Sequence, residues 1–242
     1  MTLLRSSIAA ATLALASVAS ADVLYQSGTQ TGSRFNPGSE STTTYMNVFV
    51  AVGAGQNAIN LSDVTAGIRR ISSGGFLTAV DVELFAARMT YDVGTDTYGA
   101  DIDNQFSLGS FGLGADASGS LTQLVTATGL NSVTIDLETG SQAGFGGFWI
   151  GLRFKGANAA NANNGWRIVN TPTVGASIDA FGMHNYQNSG AFESFFNFTD
   201  AAGAPTASRF YVDVSGALVP APGAVALLGL AGLAGRRRRL DR

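Results

Sequence analysis

Cysteine is absent from this chain, histidine and lysine occur once each (His184 and Lys155), and charged residues make up only 13% of it. The first absence removes disulfides, thiol nucleophiles and cysteine-based zinc sites together. A single imidazole excludes a histidine-rich metal cluster. The charged share is about half the ~25% usual for globular proteins. What fills the space is glycine, 31 of 242 residues, with an apolar share of 45% that suffices for a sizeable core. Few charges with much glycine, serine, threonine and asparagine suit a secreted β-protein better than a cytosolic helical enzyme. The length allows one large domain or two small ones, and all-β domains of this size are often single.

The formal net charge of −3 averages over unlike regions. Arg5, Arg236, Arg237, Arg238, Arg239 and Arg242 lie at the two ends. Residues 22–235 hold eight arginines and lysines against sixteen acids, a net charge of −8. That balance argues against nucleic acid as a partner, since phosphates require a positive footprint. Neutral glycans, cations and basic surfaces stay open.

Both ends have the form of addresses. Arg5 gives the N-terminus a positive start, Ile8 to Val18 is an apolar, alanine-rich stretch, and Ala19-Ser20-Ala21 puts small residues at the recognition positions of a cleavage site. These are the three parts of a secretory signal peptide, with the cut expected between Ala21 and Asp22. At the other end Val219-Pro220-Ala221-Pro222-Gly223 opens a run to Gly235 that has no charged or polar side chain, and Arg236 to Arg239 close it. Thirteen helical residues reach only ~20 Å, short of the ~30 Å hydrocarbon core. With Ala221, Pro222 and snorkelling arginines a thin span is feasible. The arginines then act as a stop-transfer and keep the body on the outer side. Four glycines weaken this helix by roughly 1 kcal/mol each relative to alanine, which suits a segment that is recognised and cut better than a permanent anchor.

A short proline motif, an apolar helix and an arginine cluster at the extreme C-terminus resemble the PEP-CTERM sorting domain. The resemblance covers Val219 to Arg239 only, and the usual Pro-Glu-Pro stands here as Pro220-Ala221-Pro222. It implies export through the Sec translocon by a Gram-negative bacterium that makes extracellular polysaccharide. It further implies a transient stay in the inner membrane, processing by an exosortase-like enzyme, and release to the cell surface or matrix.

Between the ends, period-two alternation dominates. Met46, Val48, Val50 and Val52 share a face; so do Val80, Val82 and Leu84, after which Phe85, Ala87, Met89 and Tyr91 become the apolar set, a slip that predicts a β-bulge. Val133, Ile135 and Leu137, then Phe148, Ile150, Leu152 and Phe154, then Phe210, Val212 and Val214 repeat the pattern. Weaker strands are expected at 23–26, 65–71, 121–126, 166–169, 178–183 and 195–198, with exposed loops at 32–43 and 157–166. No segment of the body keeps a helical apolar stripe. The expected fold is all-β: an antiparallel β-sandwich of jelly-roll type over residues 22–218. The signal peptide (1–21) precedes it, and a sorting segment with a short hydrophobic helix (219–242) follows.

Chemistry is sparse. Asp92, Asp96, Asp101 and Asp103 fall within twelve residues, and a loop could fold their oxygens around calcium. The same residues also make a solvated acidic turn, and their spacing matches no EF-hand. Asp81 and Glu83 share a strand face at a carboxyl spacing that glycosidases use, as do ordinary sheet surfaces. Trp149, Arg153 and Lys155 share the polar face of one strand, and Tyr211 lies in a similar outer row; such aromatics contact sugar rings or simply pack across strands. His184 has no marked serine to activate. The paired glycines at 53/55, 112/114 and 144/146 lack the rest of a nucleotide-binding fingerprint. No catalytic set emerges. The expected role is a non-catalytic structural or adhesive module that binds polysaccharide. A secreted carbohydrate-active enzyme and a permanently anchored surface protein are the alternatives.

Overall fold

A computed structural model describes residues 21–220, apart from 38–39, 73, 157–162, 179, 186–190, 197, 200–204 and 207–208. Residues 1–20 of the expected signal peptide, Ala19 among them, lie outside that set, while Ala21 is described and exposed. Ala221, Pro222, Gly223 and Arg236 to Arg239 also lie outside it. The strands in chain order are β1 (Asp22–Gln26), β2 (Gln30–Phe35), β3 (Thr42–Ala51), β4 (Gln56–Ile71), β5 (Val80–Asp92) and β6 (Thr97–Ala100). Then come β7 (Phe106–Leu113), β8 (Ser120–Ala127), β9 (Thr134–Asp136), β10 (Phe145–Lys155), β11 (Asn164–Val169) and β12 (Ala180–Asn185). The series closes with β13 (Glu193–Phe196), β14 (Phe198–Thr199), β15 (Pro205–Thr206), β16 (Arg209–Phe210) and β17 (Val212–Pro220). Among the described residues no helix is long and apolar enough to cross a membrane.

The chain is all-β. The first sheet runs β1-β17-β4-β11-β16, with β2 on β11 and with β8 and β9 on β4. The second runs β13-β12-β3-β10-β5-β6, with β7 on β5. Every pairing is antiparallel, and β14 with β15 forms a separate short ribbon. Both sheets curl around one apolar core, an arrangement consistent with a β-sandwich. Val64, Ala66, Ile68, Val212 and Val214 from the first sheet meet Met46, Val48, Val82, Leu84, Phe148 and Ile150 from the second. The strands with the clearest alternation all turn their apolar set into this core, as period two requires.

Four sequence expectations need correction. The apolar switch within β5 is not a slip of that strand: its register with β10 is unbroken from Asp81 to Arg88. Val80, Val82, Leu84 and Ala86 face the main core, while Ala87 and Met89 face a second apolar cluster on the outside of the sheet. The register shift lies on the other edge, where β7 carries the extra residue between Gly109 and Ser107. A genuine phase change sits in β4, whose buried set passes from Ile59 and Leu61 to Val64, Ala66 and Ile68. There Ser215 pairs Asp63 and Gly216 pairs Leu61, so Ser62 bulges out. The loop expected at 32–43 contains the end of β2, paired to β11, and the start of β3 with Thr42 and Thr43 buried. The loop expected at 157–166 ends inside β11, where Asn164 and Trp166 are buried. Finally, β17 runs two residues past the expected boundary at Leu218: Val219 pairs Ala58 and Pro220 pairs Gln56.

Candidate functional site

The outer face of the second sheet carries a candidate ligand cavity. Tyr45 and Phe49 on β3, Ala87 and Met89 on β5, and Trp149 on β10 form the second cluster, closed by Tyr98 of β6. Gly147 has a packing role here, because a β-carbon on it would lie 2.6 Å from the Phe49 ring and 2.8 Å from the Met89 sulfur. Trp149 is fully buried, its indole N–H donating to the Gly99 carbonyl at 2.8 Å and its ring 5.2 Å from that of Phe192. The expectation of a solvent-facing Trp149 for a sugar is therefore overturned. The wet face of that strand is covered by the β5–β6 hairpin and by Phe192, and Trp149 is the floor beneath them.

Beside this cluster opens a cavity of about 450 Å³, lined by the hairpin residues Thr90, Tyr91, Asp92, Thr97, Tyr98 and Gly99 and by Phe192 and Ser194. Tyr91 and Tyr98 are directly opposed across the hairpin, their ring centroids 4.8 Å apart. Tyr98 is almost buried and Tyr91 half-exposed. The Tyr91 hydroxyl donates to Asp96 Oδ1 at 2.7 Å, and that bond, with some loss of solvent, pushes the phenol up to about 12. Tyr91 is thus a neutral phenol at any physiological pH. Aromatic walls flanked by hydroxyls from Thr90, Thr97 and Ser194 make an amphipathic concavity, the kind that binds small ligands by apolar contact and a few polar anchors.

The four aspartates expected to hold calcium do not converge. Asp92 Oδ1 accepts from the Gly94 backbone N–H at 2.8 Å, Asp96 from Tyr91, and Asp101 from the Asn104 backbone and side chain, while Asp103 points to solvent. Two of them shape the hairpin turn and one the turn after β6. Among the described residues no group of three histidines or acids is placed to hold a metal ion.

Asp81 and Glu83 do share the outer face of β5, but they do not act as a pair. Glu83 Oε1 accepts from Lys155 Nζ at 2.9 Å, and Oε2 from Arg153 Nε at 2.9 Å as well as from its Nη2. Arg153 also lies over the Phe85 ring, 5.1 Å from its centroid. Burial alone would raise the Glu83 carboxyl, but the bonds from Arg153 and Lys155 outweigh it and hold the group below its ordinary range. A general acid needs the opposite shift. The sign fixes a pH window. A depressed carboxyl stabilises the fold above its unfolded pKa and loses that contribution as pH falls through the folded value. Glu83→Gln is expected to cost about 1–2 kcal/mol at pH 7. Urea unfolding at pH 3 should show the difference from wild type largely gone; an equal cost at both pH values would refute this account.

Tyr211 is on the other sheet, its hydroxyl donating to Asp213 Oδ2 at 2.9 Å. The structure therefore does not join it to Trp149 and Arg153 in one site. His184 stands opposite Thr43 in the β12–β3 ladder, half-buried.

Sequence reasoning missed Tyr91, Tyr98 and Phe192 as site residues. A signal for the first two was present: Thr90-Tyr91-Asp92 and Thr97-Tyr98 flank Val-Gly-Thr-Asp, which is a hairpin with tyrosines at matching positions rather than a metal loop. It also missed Arg70, buried near the end of β4. Its Nε donates to Asn164 Oδ1 at 3.0 Å, and its Nη1 to the Gly114 carbonyl at 2.8 Å and to Gln123 Oε1 at 3.3 Å. Its Nη2 donates to the Thr78 carbonyl. Burial pulls this guanidinium below its usual range, and Asp116 partly offsets the effect.

No family model, curated protein or solved structure matches the chain. The functional reading consequently stands on the residues and their geometry.

Proposed function

We propose that the chain is an exported protein of a Gram-negative bacterium, sorted by its PEP-CTERM-like tail to the cell surface or extracellular matrix. In this reading its body is a jelly-roll-type sandwich that binds polysaccharide without cleaving it. The observation that carries the binding half is the concavity between Tyr91, Tyr98 and Phe192. Aromatic faces there can pack on the C–H faces of a sugar while threonine and serine hydroxyls meet its hydroxyls. The non-catalytic half is supported by the engagement of Glu83 with two cations and by the separation of the aspartates. The sorting half is supported by the two ends of the sequence. Because Val219 and Pro220 are paired with β4, a cut at or before Pro220 would first have to strip two residues from the sheet. The mature C-terminus is therefore expected beyond residue 220.

One preparation tests both halves. The full chain is expressed in a bacterium with exosortase-type processing, and the recovered protein is weighed by intact mass spectrometry and applied to a glycan array. The expected product begins at Asp22 and lacks Arg236 to Arg239. It binds neutral polysaccharide with or without calcium, and Tyr91→Ala weakens capture about tenfold or more, the scale of one lost aromatic contact. A chain recovered with its leader intact would end the sorting half. Capture unaffected by Tyr91→Ala would end the binding half.

A further inference from the structure

We infer that the outer face of the first sheet carries a second site, built from Arg34, Arg69 and Arg167, which takes the carboxylates of an acidic polysaccharide. The residues come from three neighbouring strands. Arg167 of β11 is directly opposite Arg34 of β2. Arg69 of β4 is opposite Gly165, two residues from Arg167 on the same face of β11. Cross-strand partners stand about 4.5–5.5 Å apart at their β-carbons, and diagonal ones about 7–8 Å. The three stems therefore rise from one small patch, and the charge of Arg69 reaches the guanidinium groups of both Arg34 and Arg167. Gly165 makes this closeness feasible: a β-carbon there would lie 2.9 Å from Cβ and Cγ of Arg34, so the Arg34 stem crosses β11 where no side chain stands.

This concentration is at odds with the charge of the body. Residues 22–235 carry sixteen acids and only eight cations, yet three of those cations crowd together. Among the described residues no carboxylate pairs with Arg69 or Arg167, and the Nε of each is buried with no hydrogen-bond partner. Burial, and then the charge of Arg69, holds both Arg34 and Arg167 below the usual guanidinium range. Like charges adjacent on a sheet destabilise it, and a buried N–H without an acceptor costs further. An anion on this face would relieve both effects. Forked guanidinium groups match carboxylates in shape as well as charge.

Tyr211 points the choice of anion towards a sugar acid. It bridges β16 and β17 on the same face, its N–H bonded to the Arg167 carbonyl, and it feels the charge of Arg167. An aromatic ring beside guanidinium forks offers a sugar both a stacking face and a carboxylate clamp. Asp213, which borders it, is occupied by the Tyr211 hydroxyl and the Ser27 backbone N–H. A nucleic acid, with a charge every ~1.7 Å of duplex, would need a far longer positive track than three arginines on an acidic body.

The test is binding of the full chain, purified in mild detergent, to surfaces bearing alginate, dextran or single-stranded DNA. Alginate should bind at low ionic strength, dextran should not bind through this face, and affinity for alginate should fall at least about tenfold on moving to physiological salt. The double variant Arg69→Gln/Arg167→Gln should lose about tenfold or more, and Arg88→Gln, an exposed arginine on the other sheet, should lose nothing. The Arg69→Gln/Arg167→Gln chain should melt no lower than wild type, and about 1–3 °C higher if like-charge repulsion is relieved. Should that variant fail to fold, competition on the wild-type chain decides: galacturonate oligomers should displace alginate and neutral galactose oligomers should not. No alginate binding at low salt, equal loss in Arg88→Gln, equal capture of DNA, or displacement by the neutral oligomer would each overturn the proposal.

Discussion

Replacing Trp149 by alanine is expected to cost about 3–5 kcal/mol of folding stability and to abolish polysaccharide capture with it. The side chain is among the largest that the fold buries completely. It supports Tyr98 and Phe192 from below and bonds to the Gly99 carbonyl of β6. Without it the hairpin loses its floor and a backbone acceptor loses its donor, for about another 1 kcal/mol. At roughly 2–4 °C per kcal/mol for a domain of this size, the midpoint should fall by about 10 °C or more. Trp149→Phe separates the contributions. It keeps most of the apolar volume and loses the N–H, so it should cost about 1–2 kcal/mol and retain binding. Thermal unfolding followed by near-ultraviolet circular dichroism reads both. A Trp149→Ala protein that melts normally and still captures glycan would show that the cluster does not support the cavity.

Arg70→Ala is expected to be comparably damaging, by about 3–5 kcal/mol, without touching either proposed binding face. Arg70 is the tie between the sheets. It rises from β4 of the first sheet and donates to the carbonyls of Thr78, which leads into β5, and Gly114, which follows β7. It also fixes Asn164 of β11 and Gln123 of β8. Truncation takes the donor from acceptors on four segments, that of Asn164 buried and those of Thr78, Gly114 and Gln123 partly so. Arg70→Lys keeps the charge but cannot reach several acceptors from one ammonium, so it should recover less than half of the loss. Urea unfolding is the measurement. An Arg70→Lys chain as stable as wild type would mean that charge alone matters there and that the fork of hydrogen bonds does not.

The contrast between these two residues shows what the sequence conveys. Wherever one strand face is buried and the other wet, the pattern is legible: Val80, Val82 and Leu84, or Phe148, Ile150, Leu152 and Phe154, announce both strand and facing. Trp149 was misplaced because its face is covered by parts distant in sequence, and alternation cannot report burial on both sides. Phe85, Ala87 and Met89 misled for the same reason, imitating a slip that the strand does not make. The long β4 was only partly visible because Asn57, Asn60, Ser62 and Asp63 dilute its first half and the bulge at Ser62 changes its phase. Arg70 was invisible, since an arginine next to Arg69 gives no hint that one points inward and the other out. The candidate cavity lay in plain text as two tyrosines flanking a turn, but the aspartates between them drew the reading to a metal. Phe192 could not be assigned to it, because nothing local links residue 192 to the β5–β6 hairpin.

The placement of β17 has a mechanical consequence. The strand lies between β1 and β4 and holds a partner along almost its whole length, up to Pro220. A drag on whatever follows residue 220 is transmitted along the strand axis, at right angles to its hydrogen bonds. Those bonds are then sheared together rather than peeled one after another. Were the chain held by its tail, as proposed, rupture in flow would demand shear of the β4 ladder along the strand together with the shorter β1 ladder at its first residues.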